Sequence, residues 1–270
     1  MQGGLCWYLA DTSFKDWAQR ATDALLCDGQ DSQRAEILKK ADKRLIFRLK
    51  SPQGDSPHQS VVVKAFPMTG KLNYTGLKMK LFRYRRYGPS EVRNLLEADR
   101  RGLPVPQVFG YGQMRRGPLV LNTMVMMEDL APRRRIGVLL GEAQGQDHRQ
   151  ERLLDRLLPV FVQLYLKGCN HIDVNVDAIW LSDNPQMDLK INDFQFARFL
   201  DKPSRKVLMF EAASFARSCW CEGVAPKILY AWGERVVTAA GIKNTSYWLE
   251  IYRGFLHNLD LSEAQRLAIR

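Results

Sequence analysis

Between residues 33 and 66, apolar and polar positions alternate in short runs bounded by turn residues, which predicts strands at Ala35–Lys39, Arg44–Lys50 and Ser60–Phe66. A dense turn cluster, Ser51-Pro52-Gln53-Gly54-Asp55-Ser56-Pro57, separates the second strand from the third. Val61-Val62-Val63 is a β-branched run and suits a central, buried strand. From Pro89 to Arg101 the pattern turns helical, with Ser90 or Gly88 as cap, Pro89 in the first turn and Gly102 as the stop. Gln107–Tyr111 and Leu119–Met127 read as two further strands. Residues 1–130 therefore predict an N-terminal extension and a small antiparallel sheet around one helix.

Residues 131–270 read as mostly helical. Gln150–Lys167 is apolar on most faces, as a core helix would be, and Pro159 within it should kink or restart the helix. Two short strand-like runs, Ala178–Leu181 and Leu189–Ile191, flank a turn at Ser182-Asp183-Asn184-Pro185. Helical patterns dominate from Arg205 onward, including Trp248–Leu259 and Ser262–Ile269, with Ser262 as a cap. Trp180, Trp220, Trp232 and Trp248 sit in apolar runs and are expected in the core. The pattern is α+β, a β-rich part followed by an α-rich part, joined near Glu128–Pro132.

Charge changes the picture. The 270 residues carry 40 Lys and Arg against 29 Asp and Glu, a net +11, which points to a polyanionic partner such as nucleic acid, nucleotide or an anionic membrane component. The longest uncharged stretch, Gly102–Met114, holds prolines and glycines and is shorter than the roughly 20 apolar residues a spanning helix needs. The N-terminus has no basic region of a secretory signal. Five cysteines, an odd number, read as buried free thiols rather than a zinc site or disulfides, so a cytoplasmic location is expected.

Four elements then fall in an order that carries chemistry. Lys64 lies at the end of the apolar run Val61–Phe66, and a helix with Glu91 and Glu97 follows. His171-Ile172-Asp173 comes after the long helix, and Ile191-Asn192-Asp193-Phe194 after the strand-like pair. In phosphoryl transfer a strand lysine neutralises nucleotide phosphates and a helix glutamate fixes that lysine. One aspartate accepts or orients the acceptor hydroxyl, and a second holds Mg²⁺. A hairpin between Asp173 and Asp193 would set both carboxylates facing one cleft. Each residue also has a plain structural role open to it: Lys64 as a snorkelling surface residue, Glu91 as an exposed helix charge, Asp173 in a turn, Asp193 as a cap. His171 reads as a brace for the loop rather than a base.

At these residues the chain resembles the protein-kinase-like superfamily and, more narrowly, the lipopolysaccharide core sugar kinases of the Kdo/WaaP type. The carriers are Lys43-Arg44 with Phe47-Arg48, the stretch Gly88–Gly112, Leu166–Asp173 and Asn192-Asp193-Phe194. The resemblance implies a two-lobed protein-kinase-like fold, with a small antiparallel-sheet lobe and a mostly helical lobe. It implies ATP-dependent phosphorylation of a heptose or Kdo hydroxyl of the lipopolysaccharide inner core. By the same resemblance Lys64 is the phosphate-binding lysine, Glu91 its partner, Asp173 the catalytic aspartate and Asp193 the Mg²⁺ ligand. Met126-Met127-Glu128-Asp129-Leu130 is similar to a kinase hinge, where Met127 guards the adenine pocket and the backbone of Glu128 and Leu130 meets the adenine edge. The family's second metal ligand, an Asn five residues after the catalytic aspartate, falls on Ala178; Asn175 and Asp177 are near but neither has that spacing, so one metal instead of two, or a displaced ligand such as Asn175, is expected. No glycine-rich loop precedes Lys64, the turn being Lys40-Ala41-Asp42-Lys43, and Gln195 stands where Asp-Phe-Gly has its glycine.

The basic runs around Lys78–Arg86, Arg100-Arg101, Arg115-Arg116 and Arg133–Arg135 form either a solvated face or a surface for phosphorylated sugars and anionic headgroups of the inner membrane. They carry no recognition-helix or stacking signature, which argues against nucleic acid. The expected partner is a lipopolysaccharide core or lipid-linked sugar acceptor, met at the cytoplasmic face of the inner membrane. Two rivals stay open: a kinase of another small molecule, and a pseudokinase that keeps the fold without turnover.

Overall fold

The computed structural model describes residues 4–26, 35–41, 44–51, 59–68, 74–182, 189–258 and 261–269. The turn cluster at 52–57, Asp42-Lys43, Lys71 and most of the turn at 182–185 lie outside the described residues. The chain divides into two compact units, one of Met1–Glu97 with Pro106–Asp129, the other of Ala98–Val105 with Leu130–Arg270.

The first unit is built on a six-stranded antiparallel sheet. In chain order its strands are β1 (Gly4–Leu9), β2 (Ala35–Ala41), β3 (Arg44–Lys50), β4 (Ser60–Pro67), β5 (Val108–Arg116) and β6 (Leu119–Glu128), and across the sheet they run β1-β5-β6-β4-β3-β2. In β3, Leu45, Phe47 and Leu49 are buried while their neighbours are not, the signature of a strand with one covered face. β4 is central, paired with β3 and β6, and its alternation breaks: Val63, Lys64, Ala65 and Phe66 are all buried in succession. Both of its faces are therefore covered at that point.

One face is closed by α1 (Lys15–Leu26), which packs Trp17 and a row of alanines against Phe47, Val61 and Val63. Burying an aromatic of this kind contributes about 1.5–3 kcal/mol. α2 (Tyr74–Leu81), a short 3₁₀ turn at Arg83–Arg86 and α3 (Gly88–Arg100) follow β4. The expectation of a single helix in this part is thus corrected. β1, α1 and α2 add an edge strand and two helices, because Trp17 and the small Ala18, Ala21 and Ala24 make an apolar face at helical spacing. α3 starts against β6 with no room to spare, since a Cβ on Gly88 would meet Thr123 Oγ1 at 2.9 Å. Gly102, at φ +74, ends it as expected.

The second unit is mostly helical. α4 (Ile136–Glu142), α5 (Asp147–Asp155), α6 (Leu158–Leu166), α7 (Arg205–Cys221), α8 (Pro226–Ala239), α9 (Thr245–His257) and α10 (Glu263–Ala268) surround a core that includes Phe161, Phe215 and Trp232. Pro159 restarts the helix rather than kinking it: α5 ends before it, and Pro159 occupies the first turn of α6, where its missing N–H has no partner to lose. Small strands complete the unit: β7 (Arg134–Arg135), β8 (Cys169–Asn170), β9 (Ile179–Leu181), β10 (Lys190–Ile191) and β11 (Arg198–Phe199), with β9 between β10 and β7, and β8 paired to β11.

Two expectations about side chains need correcting. Cys169 and Cys219 are buried thiols, but Cys6 and Cys221 are exposed. Trp232 is fully buried, whereas Trp180, Trp220 and Trp248 are only half-buried. Cys6 lies on an edge strand and Cys221 at the last position of α7, so neither is covered from both sides. Among the described residues, no helix is long and apolar enough to cross a membrane.

Candidate active site

In the first unit, the pleat sends Lys64 to the face of β4 opposite Val63 and Ala65. There it forms an ion pair with Glu91 Oε1, with Lys64 3% exposed and Glu91 fully buried. Glu91 is presented by the first turn of α3, where it begins a buried stripe continued by Asn94, Leu95 and Ala98, the i, i+3, i+4, i+7 face of a helix. Glu97 lies off that stripe and is half-buried. A buried ammonium beside a buried carboxylate is expensive to assemble, and its geometry must be held by the surrounding fold.

The end of β6 is fixed in a similar way. Arg48 reaches Asp129 with Nε to Oδ2 at 2.6 Å and Nη2 to Oδ1 at 3.3 Å, and Ser60 Oγ donates to the same Oδ2 at 2.6 Å. That bidentate contact raises the Arg48 pKa still further, the hydrogen bond to Asp129 being the main cause. Met127 is buried in the strand, and Glu128 donates its N–H to Gln107 O at 2.8 Å while its carboxylate accepts from Gln107 N at 3.2 Å. Leu130, in the second unit, is buried and accepts at its carbonyl from Arg133 N.

In the second unit, the segment 168–178 turns back on β10. His171 is fully buried, donates Nε2–H to Asn192 O at 2.9 Å and stands edge-on to Phe194 with ring centroids 4.6 Å apart. Asn192 N in turn donates to Ala178 O at 2.8 Å, continuing the β9–β10 ladder. Asp173 and Asp193 stand two residues and one residue beyond the hydrogen-bonded His171–Asn192 pair, so the two segments that carry them are clamped together. Asp193 takes a left-handed backbone (φ 67) at the cap position of a short 3₁₀ turn, makes no capping bond there and is half-buried. Asp173 is exposed. Asn175 is used differently from its sequence expectation: Oδ1 accepts from Asp177 N at 2.9 Å and Ala178 N at 3.1 Å, and Nδ2 donates to Asp173 O at 3.1 Å. With both lone pairs of its amide oxygen engaged, Asn175 shapes the turn and offers a metal no donor in this conformation.

Comparison with known proteins bears on this arrangement. The family model described as the lipopolysaccharide kinase (Kdo/WaaP) family matches residues 52–206, more than half of the chain. The chain belongs to that family. A solved structure described as "WaaP in complex with acyl carrier protein" is similar in fold, with a TM-score of 0.61, 15% sequence identity, 93% of this chain and 95% of that one covered. The comparison with curated proteins returns no match. The fold is protein-kinase-like, and the family match spans every candidate site residue from Lys64 to Asp193.

Two further residues, Glu211 outside those motifs and Gly168 within one, hold the backbone around Asp173. Glu211 lies in the apolar run Val207–Phe215 of α7, fully buried, and accepts the Ile172 N–H at Oε1, 2.7 Å away. Burial pushes its pKa up to about 8; backbone N–H groups of Ile172 and His171 oppose the shift, and the nearby Asp173 charge adds to it. Ile172 needs such a hold, since it is β-branched and sits at φ 59, a region that costs roughly 1–3 kcal/mol. Gly168 at φ +63 is equally constrained: a Cβ there would come within 2.6 Å of Leu200 O. A lone acid inside an apolar helix was a readable signal for Glu211, whereas Gly168 was visible only as part of the family motif.

Several of the basic residues have partners within the chain. Arg101 donates to Lys167 O and Leu200 O, Arg134 pairs with Glu142, and Arg135 pairs with Asp177 at 3.0 Å. Lys78, Arg85 and Arg86 are exposed.

Proposed function

We propose that this kinase transfers the γ-phosphoryl group of ATP to a sugar hydroxyl, of Kdo or heptose, in the lipopolysaccharide inner core. The observation that supports this most is the buried Lys64–Glu91 pair, since a lysine is desolvated on a sheet face at high cost unless a polyanion or a carboxylate partner is to be met there. Lys64 would steady the α- and β-phosphates, with Glu91 holding its ammonium in place. The acceptor oxygen attacks the γ-phosphorus, the bond to the β,γ-bridging oxygen breaks, ADP leaves, and the hydroxyl proton passes to Asp173.

Mg²⁺ fits the donor set at Asp193, because Mg²⁺ commonly takes only one or two protein carboxylates and fills its shell with phosphate oxygens and water. Held there, it would neutralise charge building on the phosphates. The acidic group and its left-handed backbone are kept in place by the buried Phe194 and the His171–Asn192 bond. The Glu211–Ile172 bond keeps the Asp173 loop from relaxing out of its strained conformation.

The acceptor is lipid-linked, so the reaction would take place at the cytoplasmic face of the inner membrane. There the exposed Lys78, Arg85 and Arg86 would each contribute about 1 kcal/mol of attraction to anionic headgroups. Incubating the purified protein with Mg-ATP and dephosphorylated core oligosaccharide should release ADP and add one phosphate to the sugar, read by mass spectrometry. Absence of turnover on both heptose- and Kdo-bearing acceptors, with nucleotide binding intact, would overturn the substrate assignment.

Ala178 and the engaged Asn175 favour one other reading, a pseudokinase. It would bind ATP with little dependence on Mg²⁺, and Asp193→Ala would leave that affinity unchanged.

A further inference from the structure

The C-terminal helix brings a cation to the proposed catalytic aspartate. Arg266 of α10 places Nη1 3.8 Å from Asp173 Oδ1, with the arginine side chain 30% and the aspartate 52% exposed. The helix is not loosely attached. Ser262 and Gln265 form a capping box at its start, and Arg266 Nε donates to Leu261 O at 3.0 Å. Ile269 is buried against Val207 and Phe210 of α7, and its carbonyl accepts from Asn170 Nδ2 at 3.4 Å, beside the proposed catalytic loop. Arg198 of β11 donates to Leu267 O at 3.5 Å. The guanidinium is thus carried on a braced element whose anchors include the strand leading into Asp173.

The contact itself is too long for a hydrogen bond and half open to solvent, so each charge neutralises the other only weakly. Arg266 has five N–H donors, and among the described residues only Nε is engaged in a hydrogen bond. A fixed guanidinium with spare donors beside an exposed carboxylate is suited to a ligand that brings both a hydroxyl and an anionic group. The hydroxyl goes to Asp173 and the anion to Arg266. Without the arginine, an anionic sugar would meet a like charge at the aspartate that must receive its hydroxyl.

We propose that Arg266 is a specificity-determining residue that selects acceptor sugars carrying a carboxylate or phosphate next to the reacting hydroxyl. This inference rests on the phosphotransferase reading above and adds to it the chemical class of the acceptor. Kdo supplies such a carboxylate, and an already phosphorylated heptose supplies such a phosphate.

The test compares wild type, Arg266→Ala and Arg266→Lys on the methyl glycoside of Kdo and on its neutral methyl ester, and on heptose phosphate against free heptose. Arg266→Ala should raise KM about 10- to 100-fold for the anionic member of the preferred pair and leave the neutral member and the KM for ATP unchanged. Arg266→Lys should fall in between, because it keeps the charge and loses the fork. The pair that responds tells a carboxylate from a phosphate. Equal changes for anionic and neutral acceptors, or a fall in kcat with KM untouched, would show a structural role and overturn the proposal. If wild type phosphorylates none of these sugars, the reaction assignment fails, and calorimetric titration of the same four compounds still decides the site. An anion preference that Arg266→Ala abolishes upholds it, and equal binding of anionic and neutral members refutes it.

Discussion

Replacing Glu91 by Ala removes the carboxylate that Lys64 contacts at a position where the lysine is almost wholly withdrawn from water. Breaking a buried pair by deleting one partner costs about 3–5 kcal/mol, because the remaining charge keeps its desolvation penalty. Against a typical domain stability of about 5–15 kcal/mol, that is about a fifth or more of the total. Changing both residues together, Lys64→Met with Glu91→Leu, removes both charges and keeps the volume, so it should cost far less than the sum of the single changes and can be neutral. Urea denaturation of wild type, Lys64→Met, Glu91→Leu and the double variant, with hydrogen exchange of the β4 amides to localise the effect, completes a double-mutant cycle. The buried-pair reasoning predicts a coupling of about 3 kcal/mol or more between the two sites. A cost below about 1 kcal/mol for Glu91→Ala, or additivity of the two changes, would refute it. The stable double variant should nonetheless bind Mg-ATP weakly, which separates the stability of the pair from its proposed use.

Other changes probe the loop that carries Asp173. Glu211 has its pKa raised to about 8 in the folded protein, so the folded state holds its proton while the unfolded state, near 4.5, releases it. Stability from this group is full below about pH 4.5 and is lost as pH rises toward 8, at up to about 1.4 kcal/mol per pH unit. Thermal or urea unfolding across pH 5–8 should show wild type losing stability relative to Glu211→Gln, and parallel pH profiles would contradict the assignment. Gly168→Ala should destabilise by about 2 kcal/mol or more, since it adds left-handed strain to a collision with Leu200 O. A melting temperature within a degree of wild type would argue against that geometry.

Much of the fold could be read from local pattern. The alternation in Arg44–Lys50 specified a half-covered strand, Pro159 marked the restart of a helix, and Gly102 marked the end of α3. The Lys64–Glu91 pair was legible because a lysine inside Val61–Phe66 has to be met by something, and Glu91 stands in the first turn of α3, the helix the pattern predicted. Other features depended on tertiary packing. Trp17 and the alanines of α1 become a lid for the sheet only once β3 and β4 exist to receive them. Asn175 looks like a metal ligand by composition, but the turn it closes claims its oxygen. Arg48 and Asp129 lie 81 residues apart, and nothing in the spacing announces their contact. Arg266 is brought to Asp173 by anchors such as Ile269 buried against α7, long-range contacts with no periodic signature. Glu211, by contrast, was visible as the one charge in an apolar helical run, yet without the fold its Ile172 partner could not be named.

The central claim is that Asp173 and Asp193 divide the work of phosphoryl transfer, one at the acceptor hydroxyl and one at the metal. The direct measurement is transfer of labelled γ-phosphate from ATP to a Kdo- or heptose-bearing core acceptor, paired with nucleotide affinity at varied Mg²⁺, for wild type, Asp173→Asn and Asp193→Asn. Asp173→Asn should lose at least about 100-fold in kcat with ATP affinity unchanged, in keeping with removal of a general base. Asp193→Asn should lose both turnover and the Mg²⁺-dependence of ATP binding. Turnover in Asp173→Asn equal to wild type, or Mg²⁺-dependent ATP binding unaltered in Asp193→Asn, would contradict the account.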